Sequence, residues 1–100
     1  MTLNYVINPK ISAQELSSLR RAVGWDSREN KLEKTIGSTY LSVACYDKEK
    51  IVGFVDVISD GVDDALIRSL IVDPDCQRKG IALKLLNIVT GKIREDRIKT

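Results

Sequence analysis

The first part of the chain alternates apolar and polar residues and then changes to a helical period. Leu3 to Ile7 has the alternation of a short, half-buried β-strand, and Asn8-Pro9 ends it. Ser12 and Glu15 have the spacing of a capping box, which predicts the start of a helix. The apolar stripe of that helix closes at Gly24 and consists of Leu16, Leu19 and Val23.

A second helix is expected from Asp26 to Gly37, with Leu32 and Ile36 on one face. Strand-like segments follow, separated by the polar turn Asp47 to Lys50 and by the loop around Asp60-Gly61. The first of these turns predicts an antiparallel hairpin. Three such segments, rich in β-branched and aromatic residues, are Thr39 to Tyr46, Ile51 to Ser59 and Ala65 to Val72.

The helical period returns after the third strand, from Arg78 onward, and a last short strand is expected from Arg97 to Thr100. The apolar stripe of this helix consists of Ile81, Ala82, Leu85, Leu86, Val89 and Ile93. The order of strand, two helices, three strands and helix predicts an α+β fold. We expect residues 1–100 to form a single domain with a mostly antiparallel sheet flanked by helices.

Composition narrows the possible functions. The formal net charge of +2 is too small to favour nucleic acid or an anionic membrane as a partner, and no apolar stretch reaches the length of a membrane span. Without a visible signal peptide, Cys45 and Cys76 are interpreted as reduced thiols of a cytoplasmic protein. The chain contains no histidine, which excludes serine–histidine and cysteine–histidine catalysis within one chain.

The segment between the third strand and the last helix has the pattern of an anion-binding loop. Asp73-Pro74-Asp75 breaks the strand, and Gly80 allows a close approach of the backbone to a ligand. The helix that follows would offer unpaired N–H groups, and Arg78 and Lys79 add two positive charges beside them. A phosphate or pyrophosphate is therefore the expected ligand, although the glycines of the Walker and Rossmann patterns are missing.

This segment resembles the cofactor signature of the GNAT superfamily of N-acetyltransferases, Q/R-x-x-G-x-G/A. It stands here as Gln77-Arg78-Lys79-Gly80-Ile81-Ala82, preceded by Leu70-Ile71-Val72-Asp73-Pro74 and followed by a helix that contains Leu85-Leu86. Lys50-Ile51-Val52-Gly53-Phe54 is similar to the family's usual third strand, so the resemblance covers most of the chain. It implies a GNAT-like fold and transfer of an acetyl group from acetyl-CoA to the amine of a small molecule or peptide.

The resemblance also implies which residues hold acetyl-CoA. Backbone groups at the end of the third strand would pair with the pantetheine arm, at Leu70, Ile71 and Val72. Gln77 would open the loop, and loop amides would hold the pyrophosphate, at Arg78, Lys79, Gly80, Ile81, Ala82 and Leu83. In the family a deprotonated amine attacks the thioester, backbone N–H groups stabilise the oxyanion, and a general base acts, often through water.

Three carboxylates are candidates for the general base. Asp56 lies in mid-strand on the same face as Phe54 and Ile58. Asp63 and Asp64 have the sequence context of a solvated turn. Cys76 is expected to be a loop thiol. Trp25 is expected either to line a substrate groove or to pack under the first two helices.

Complete members of the family continue for several tens of residues past the equivalent of Thr100, with further strands, a helix and a tyrosine that commonly protonates the leaving thiolate. Turnover by this chain is therefore an open question. Two alternatives stay open: a shortened core that binds CoA without turnover, and an interaction protein whose sheet pairs with another chain. An open edge along Ala65 to Val72 predicts a homodimer.

Overall fold

The computed structural model describes residues 2–35 and 38–97. Its elements in chain order are strand β1 (Leu3–Ile7), helices α1 (Ala13–Ala22) and α2 (Glu29–Thr35), strands β2 (Leu41–Asp47), β3 (Lys50–Ser59) and β4 (Ala65–Val72), a 3₁₀ turn (Pro74–Cys76) and helix α3 (Ile81–Glu95). The four strands form one sheet in the order β1-β2-β3-β4, with every neighbouring pair antiparallel. The predicted α+β fold with an antiparallel sheet is confirmed.

The sheet buries both of its faces, which is why β3 is nearly continuous in apolar residues. One face carries the α3 core, in which the buried side chains of α3 meet those of β2, β3 and the 3₁₀ turn: Leu41, Val43, Cys45, Val52, Val55, Val57, Cys76, Ile81, Leu85, Val89 and Ile93. The other face packs against α1 through a smaller cluster: Leu16, Leu19, Ala44, Ile51, Phe54 and Ile71. The sheet is therefore the middle layer of the described structure.

Helix α1 begins as the capping box predicts. The Ser12 hydroxyl accepts a hydrogen bond from the Glu15 amide at 3.1 Å, and the Glu15 carboxylate accepts one from the Ser12 amide at 3.3 Å. Helix α2 begins later than predicted, at Glu29 rather than Asp26. The Asp26 carboxylate accepts from the Arg28 amide at 3.3 Å, and Arg28 is left-handed at φ 54°, so this segment forms a turn.

Strand β2 runs from Leu41 to Asp47 rather than from Thr39 to Tyr46, and β3 begins at Lys50 rather than Ile51. Two further differences concern α3 and the segment after it. The helix begins at Ile81, so Arg78 and Lys79 belong to the preceding loop, and Arg97 is a turn residue. The rest of the predicted last strand, Ile98 to Thr100, lies outside the described residues, as do Ile36 and Gly37 of the predicted second helix. Among the described residues, no helix combines the length and hydrophobicity needed to cross a membrane.

Strand β4 contains an irregularity that the sequence pattern does not predict. Its pairing with β3 shifts so that Ser69 and Leu70 together lie opposite Val55, which is a β-bulge. Ser69 has φ 56°, a left-handed backbone that serine rarely adopts. Because the bulge adds one residue, Arg68 and Ser69 are successive residues that both reach the α1 face of the sheet, where they line the same groove.

Candidate functional site

The outer edge of β4 offers backbone groups that no described strand pairs with. The Asp73 amide donates to the Val52 carbonyl at 2.8 Å, so the strand end is fastened to β3 at that point. Successive backbone groups of a strand point to opposite sides, and the neighbouring Val72 carbonyl instead accepts from the Gln77 side-chain amide at 3.3 Å. The backbone of Val72 thus faces the outer edge, and its N–H points to the side on which an extended ligand would lie.

The side chains at this strand end fix it within the fold. Ile71 is 2% exposed and belongs to the α1-side cluster, whereas Leu70 and Val72 pack against the α3 core. All three predicted arm residues therefore have side chains engaged in packing. The backbone of Ile71 faces β3, as that of Asp73 does, and the backbone of Val72 faces the outer edge, where a ligand can pair with it.

A short turn leads from β4 into the loop. The Asp73 carboxylate accepts a hydrogen bond from the Asp75 amide at 2.9 Å, and its carbonyl accepts from the Cys76 amide at 2.8 Å. Lys50 approaches the other carboxylate oxygen of Asp73 at 3.7 Å. Cys76 is 5% exposed and lies in the α3 core, so the expected loop thiol is in fact a buried one. Burial raises the pKa of the Cys76 thiol, which argues against a nucleophilic role.

The loop leads into the N-terminus of α3, where the N-cap residue forms no side-chain hydrogen bond. Arg78 and Gly80 both have left-handed backbones, at φ 68° and φ 77°. Gly80 is the residue before the helix, and within residues 2–35 and 38–97 no side chain accepts from the first-turn amides of α3. The first turn also lacks an acidic residue, and α3 is 15 residues long. A concentrated set of N–H donors at the positive end of a helix dipole is an anion site.

The structure brings the predicted loop residues together at this helix start. Gln77, Arg78, Lys79 and Gly80 are exposed there. Ala82 is partly buried and Leu83 is 64% exposed, which leaves the first turn of α3 open to solvent. Ile81 differs, because its side chain is 1% exposed in the core and only its backbone can face a ligand.

A groove of about 550 Å³ lies on the α1 face of the sheet and reaches the β4 bulge. Its walls come from α1, α2 and the segment before β2, and its floor is the α1 face of β2, β3 and β4. The lining residues that carry charge are Arg20, Arg28, Lys31, Lys34, Asp56 and Arg68. Ser69 of the bulge also lines it, so the groove and the free edge of β4 meet at the bulge.

Asp56 is the carboxylate of this groove. It is 6% exposed, and the Arg68 guanidinium donates to it through Nε at 3.1 Å. Burial raises the pKa of the Asp56 carboxyl, and the charges of Arg68 and Arg20 act in the opposite direction. Asp63 and Asp64 are exposed in the β3–β4 loop, where both amides donate to the Asp60 carboxylate.

Arg20 is a groove residue that sequence analysis missed. It is 9% exposed, its Nε donates to the Asp26 carbonyl at 2.7 Å, and its guanidinium lies 5.1 Å from the centre of the Trp25 ring. Trp25 itself is 41% exposed and is not among the groove-lining residues, so neither predicted position for it is right. The sequence does carry a local signal for Arg20, because it stands four residues after Leu16 and three before Val23, on the apolar stripe of α1, whereas the exposed Arg21 lies off that stripe.

No group of three or more residues with metal-ligating side chains is found among the described residues. Two adjoining features of the described structure can bind a ligand. One is an anion site at the loop before α3 beside a free strand edge, and the other is a charged groove behind the bulge of that strand.

A family model described as acetyltransferase (GNAT) domain matches residues 7–100. A comparison with curated proteins found no match.

Solved structures share the fold at low sequence identity. A probable acetyltransferase from meticillin-resistant Staphylococcus aureus superposes with a TM-score of 0.88 at 19% identity, over 94% of this chain and 71% of that one. A GNAT-family acetyltransferase from Streptococcus pneumoniae TIGR4 gives a TM-score of 0.82 at 23% identity, over 97% and 73%. An aminoglycoside 6'-N-acetyltransferase complexed with coenzyme A gives 0.74 at 20%, over 98% and 58%.

Proposed function

We propose, from the premise that this chain belongs to the GNAT acetyltransferase family, that it binds acetyl-CoA and transfers the acetyl group to an amine. The observation that carries the proposal is the uncapped start of α3 beside the free edge of β4. An extended pantetheine arm needs a strand edge and a pyrophosphate needs N–H donors, and this chain presents the two side by side. A relative of the same fold has been solved with coenzyme A.

In this proposal the arm lies along Leu70, Ile71 and Val72 and pairs with the backbone groups among them that face the outer edge of β4. The pyrophosphate takes the amides of the loop and of the first helical turn, from Arg78 to Leu83. Gly80 supports this role because its left-handed backbone turns the chain into α3 and leaves open space on its Cα. Arg78 and Lys79, both exposed, add positive charge beside the same amides.

The β4 bulge suits the reacting end of the arm. A bulge interrupts regular pairing, and it adjoins the groove from which an amine would arrive. The amine nitrogen would attack the thioester carbonyl carbon, and a backbone N–H near the bulge would stabilise the oxyanion. The carbon–sulfur bond then breaks, the thiolate of CoA leaves, and the nitrogen loses its proton to a base. Asp56 is the base we propose, acting directly or through one water.

Two measurements test the proposal on the whole chain. Isothermal titration with CoA should show a single site, and release of free thiol from acetyl-CoA should increase when amines are added. CoA binding without amine-dependent thiol release would leave a cofactor-binding module without turnover. The absence of CoA binding would overturn the assignment of the loop.

A homodimer is a second proposal, favoured by apolar residues at the tip of the β3–β4 hairpin. Ile58 and Leu66 are cross-strand partners that are 44% and 61% exposed, and Val62 in the loop is 77% exposed. A second copy on this hairpin would cover them and the adjoining edge of β4. One chain has a mass of 11.2 kDa, and sedimentation equilibrium at micromolar concentration should give about twice this value. A single species at the mass of one chain contradicts the dimer.

We also propose a reducing, cytoplasmic location. Both cysteines, Cys45 and Cys76, are free thiols buried in the α3 core. Their burial suits a compartment in which thiols stay reduced.

A further inference from the structure

The groove behind the β4 bulge has a charge pattern that restricts what it can hold. Five cationic side chains line it, from Arg20, Arg28, Lys31, Lys34 and Arg68. One carboxylate, Asp56, lines it among the described residues, and that carboxylate is already paired with Arg68 at 3.1 Å. The groove is therefore strongly positive, although the whole chain has a formal net charge of only +2.

Arg20 is the residue that makes this more than a solvated basic surface. It is 9% exposed, and its single hydrogen bond to described residues uses Nε and leaves both terminal nitrogens of the guanidinium without a protein acceptor. Neither terminal nitrogen is among the fully buried side-chain atoms without a partner, so both reach the solvent of the groove and can donate to a ligand there. Burial and the charge of Arg28 lower the pKa of Arg20, and the charges of Asp26 and Asp56 act in the opposite direction.

The surroundings hold Arg20 in position for a ligand. The Trp25 ring covers the guanidinium at 5.1 Å, and the Trp25 amide donates to the Arg20 carbonyl at 2.9 Å. One turn earlier, the Ser17 hydroxyl donates to the Ser27 carbonyl at 3.1 Å. The loop between α1 and α2 is thus fastened to α1, so the guanidinium is fixed before any ligand arrives.

We propose that the acceptor amine of this protein carries a carboxylate or a phosphate, and that Arg20 binds this anionic group with the help of Arg28 and Lys31. This inference rests on the proposed acetyl transfer and deepens it. The amine end of the substrate lies toward Asp56 and the bulge, and the anionic end lies toward Arg20. A planar guanidinium with two free nitrogens matches either oxyanion in a bidentate way.

The same charges disfavour polycationic acceptors. One protein of the same fold is an aminoglycoside acetyltransferase, and aminoglycosides carry several amines. A second ammonium group in this groove would lie among five like charges without a free carboxylate to pair with. A simple amine without a charged tail would bind, but it would form no ionic contact with Arg20.

The test compares amines that differ only in the charged tail. Ethanolamine is matched with phosphoethanolamine, pentylamine with 5-aminopentanoate, and spermidine represents the polycations. With saturating acetyl-CoA, kcat/KM should be at least about tenfold higher for each anionic member than for its partner, and lowest for spermidine. The phosphate and carboxylate pairs together show which oxyanion the groove prefers.

Three variants test whether the groove produces the preference for anionic amines. Arg20→Gln should lower kcat/KM for the anionic amines and so remove the difference within each pair. Lys31→Gln should reduce it partially and covers the case in which Arg20→Gln fails to fold. Arg21→Gln is the matched control, because Arg21 is the exposed neighbour in α1 and does not line the groove.

Binding of the amines to the CoA-loaded protein, measured by calorimetry, decides the matter if no amine is turned over. Tighter binding of the anionic members that disappears in Arg20→Gln supports the inference. Equal binding within each pair, tighter binding of spermidine, or no binding of any anionic amine overturns it. Absence of CoA binding would instead overturn the proposed function, so the two failures are distinguishable.

Discussion

The side-chain amide of Gln77 donates a hydrogen bond to the carbonyl of Val72 at 3.3 Å and ties the start of the loop to the end of β4. This contact joins the two parts of the proposed acetyl-CoA site, because the strand edge takes the arm and the loop takes the phosphates. The distance between the two parts is then set before the ligand binds.

Loss of this contact should weaken CoA binding. In Gln77→Ala the loop is free to move relative to β4, and we expect the affinity for CoA to fall by about threefold to tenfold, the effect of one hydrogen bond. Gln77→Arg should bind nearly as well as the original chain, since a guanidinium can donate to the same carbonyl. Calorimetric titration measures both, and equal losses in the two variants would contradict a donor role for Gln77.

Gly80→Glu should abolish CoA binding. A side chain at φ 77° costs about 1–2 kcal/mol in backbone strain, and a carboxylate at the start of α3 would repel the pyrophosphate. Arg78→Ala should do less, because amides carry most of the proposed contact. Gly91→Glu is the control, since Gly91 is an exposed position of the same helix with open space around its Cα. A folded Gly80→Glu variant with unchanged CoA affinity would show that the loop assignment is wrong.

The loop was predictable from the sequence because its determinants are local. Pro74 ends a strand, Gly80 permits a left-handed turn, and the apolar period changes between them, so the strand and loop boundaries follow from neighbouring residues. Strand β4 was predicted with its observed ends, Ala65 and Val72, for the same reason. The bulge in β4 was not predicted, because Ser69 has a left-handed backbone and serine rarely adopts that conformation.

The groove depended on tertiary structure and could not be predicted. Arg20, Asp56 and Arg68 come from a helix and two strands, and only the packing of α1 on the sheet brings them to one cavity. Asp56 was singled out from its place in mid-strand, but its partner Arg68 lies opposite it only through the shifted register. The capping box of α1 depends on neighbouring residues and was predicted. The turn before α2 was not predicted, because it depends on the left-handed backbone of Arg28.

Gly53 should be required for the docking of α3. A Cβ at this position would lie 2.9 Å from Cγ2 of Ile81 and 3.2 Å from Cδ1 of Leu85, closer than side chains pack. Gly53→Ala should therefore lower the free energy of unfolding by about 1–3 kcal/mol and displace the start of α3. Urea denaturation measures the loss. Gly91→Ala is the matched control and should stabilise α3 by about 0.5–1 kcal/mol, and a similar gain in Gly53→Ala would contradict the close packing.

Removal of the Asp56 carboxylate tests its proposed role as the base. Asp56→Asn keeps an acceptor for Arg68, so the fold should survive, but it cannot take a proton from the amine. General-base catalysis contributes roughly 10²–10⁴-fold, and we expect a loss of kcat in that range. Asp63→Asn, in the exposed turn, should leave kcat unchanged.

The pH dependence of kcat separates catalysis by Asp56 from a role in positioning Arg68. A base acts in its deprotonated form, so activity should fall as the pH drops through the pKa of Asp56 in the complex. Burial raises that pKa above the ordinary aspartate value of 3.8, which moves the acid limb of the profile toward neutral pH. Asp56→Asn should lose this limb, because no carboxyl remains there to titrate. If Asp56 only holds Arg68, the variant will show a lower rate at every pH with the acid limb still in place, and the base must then be sought elsewhere.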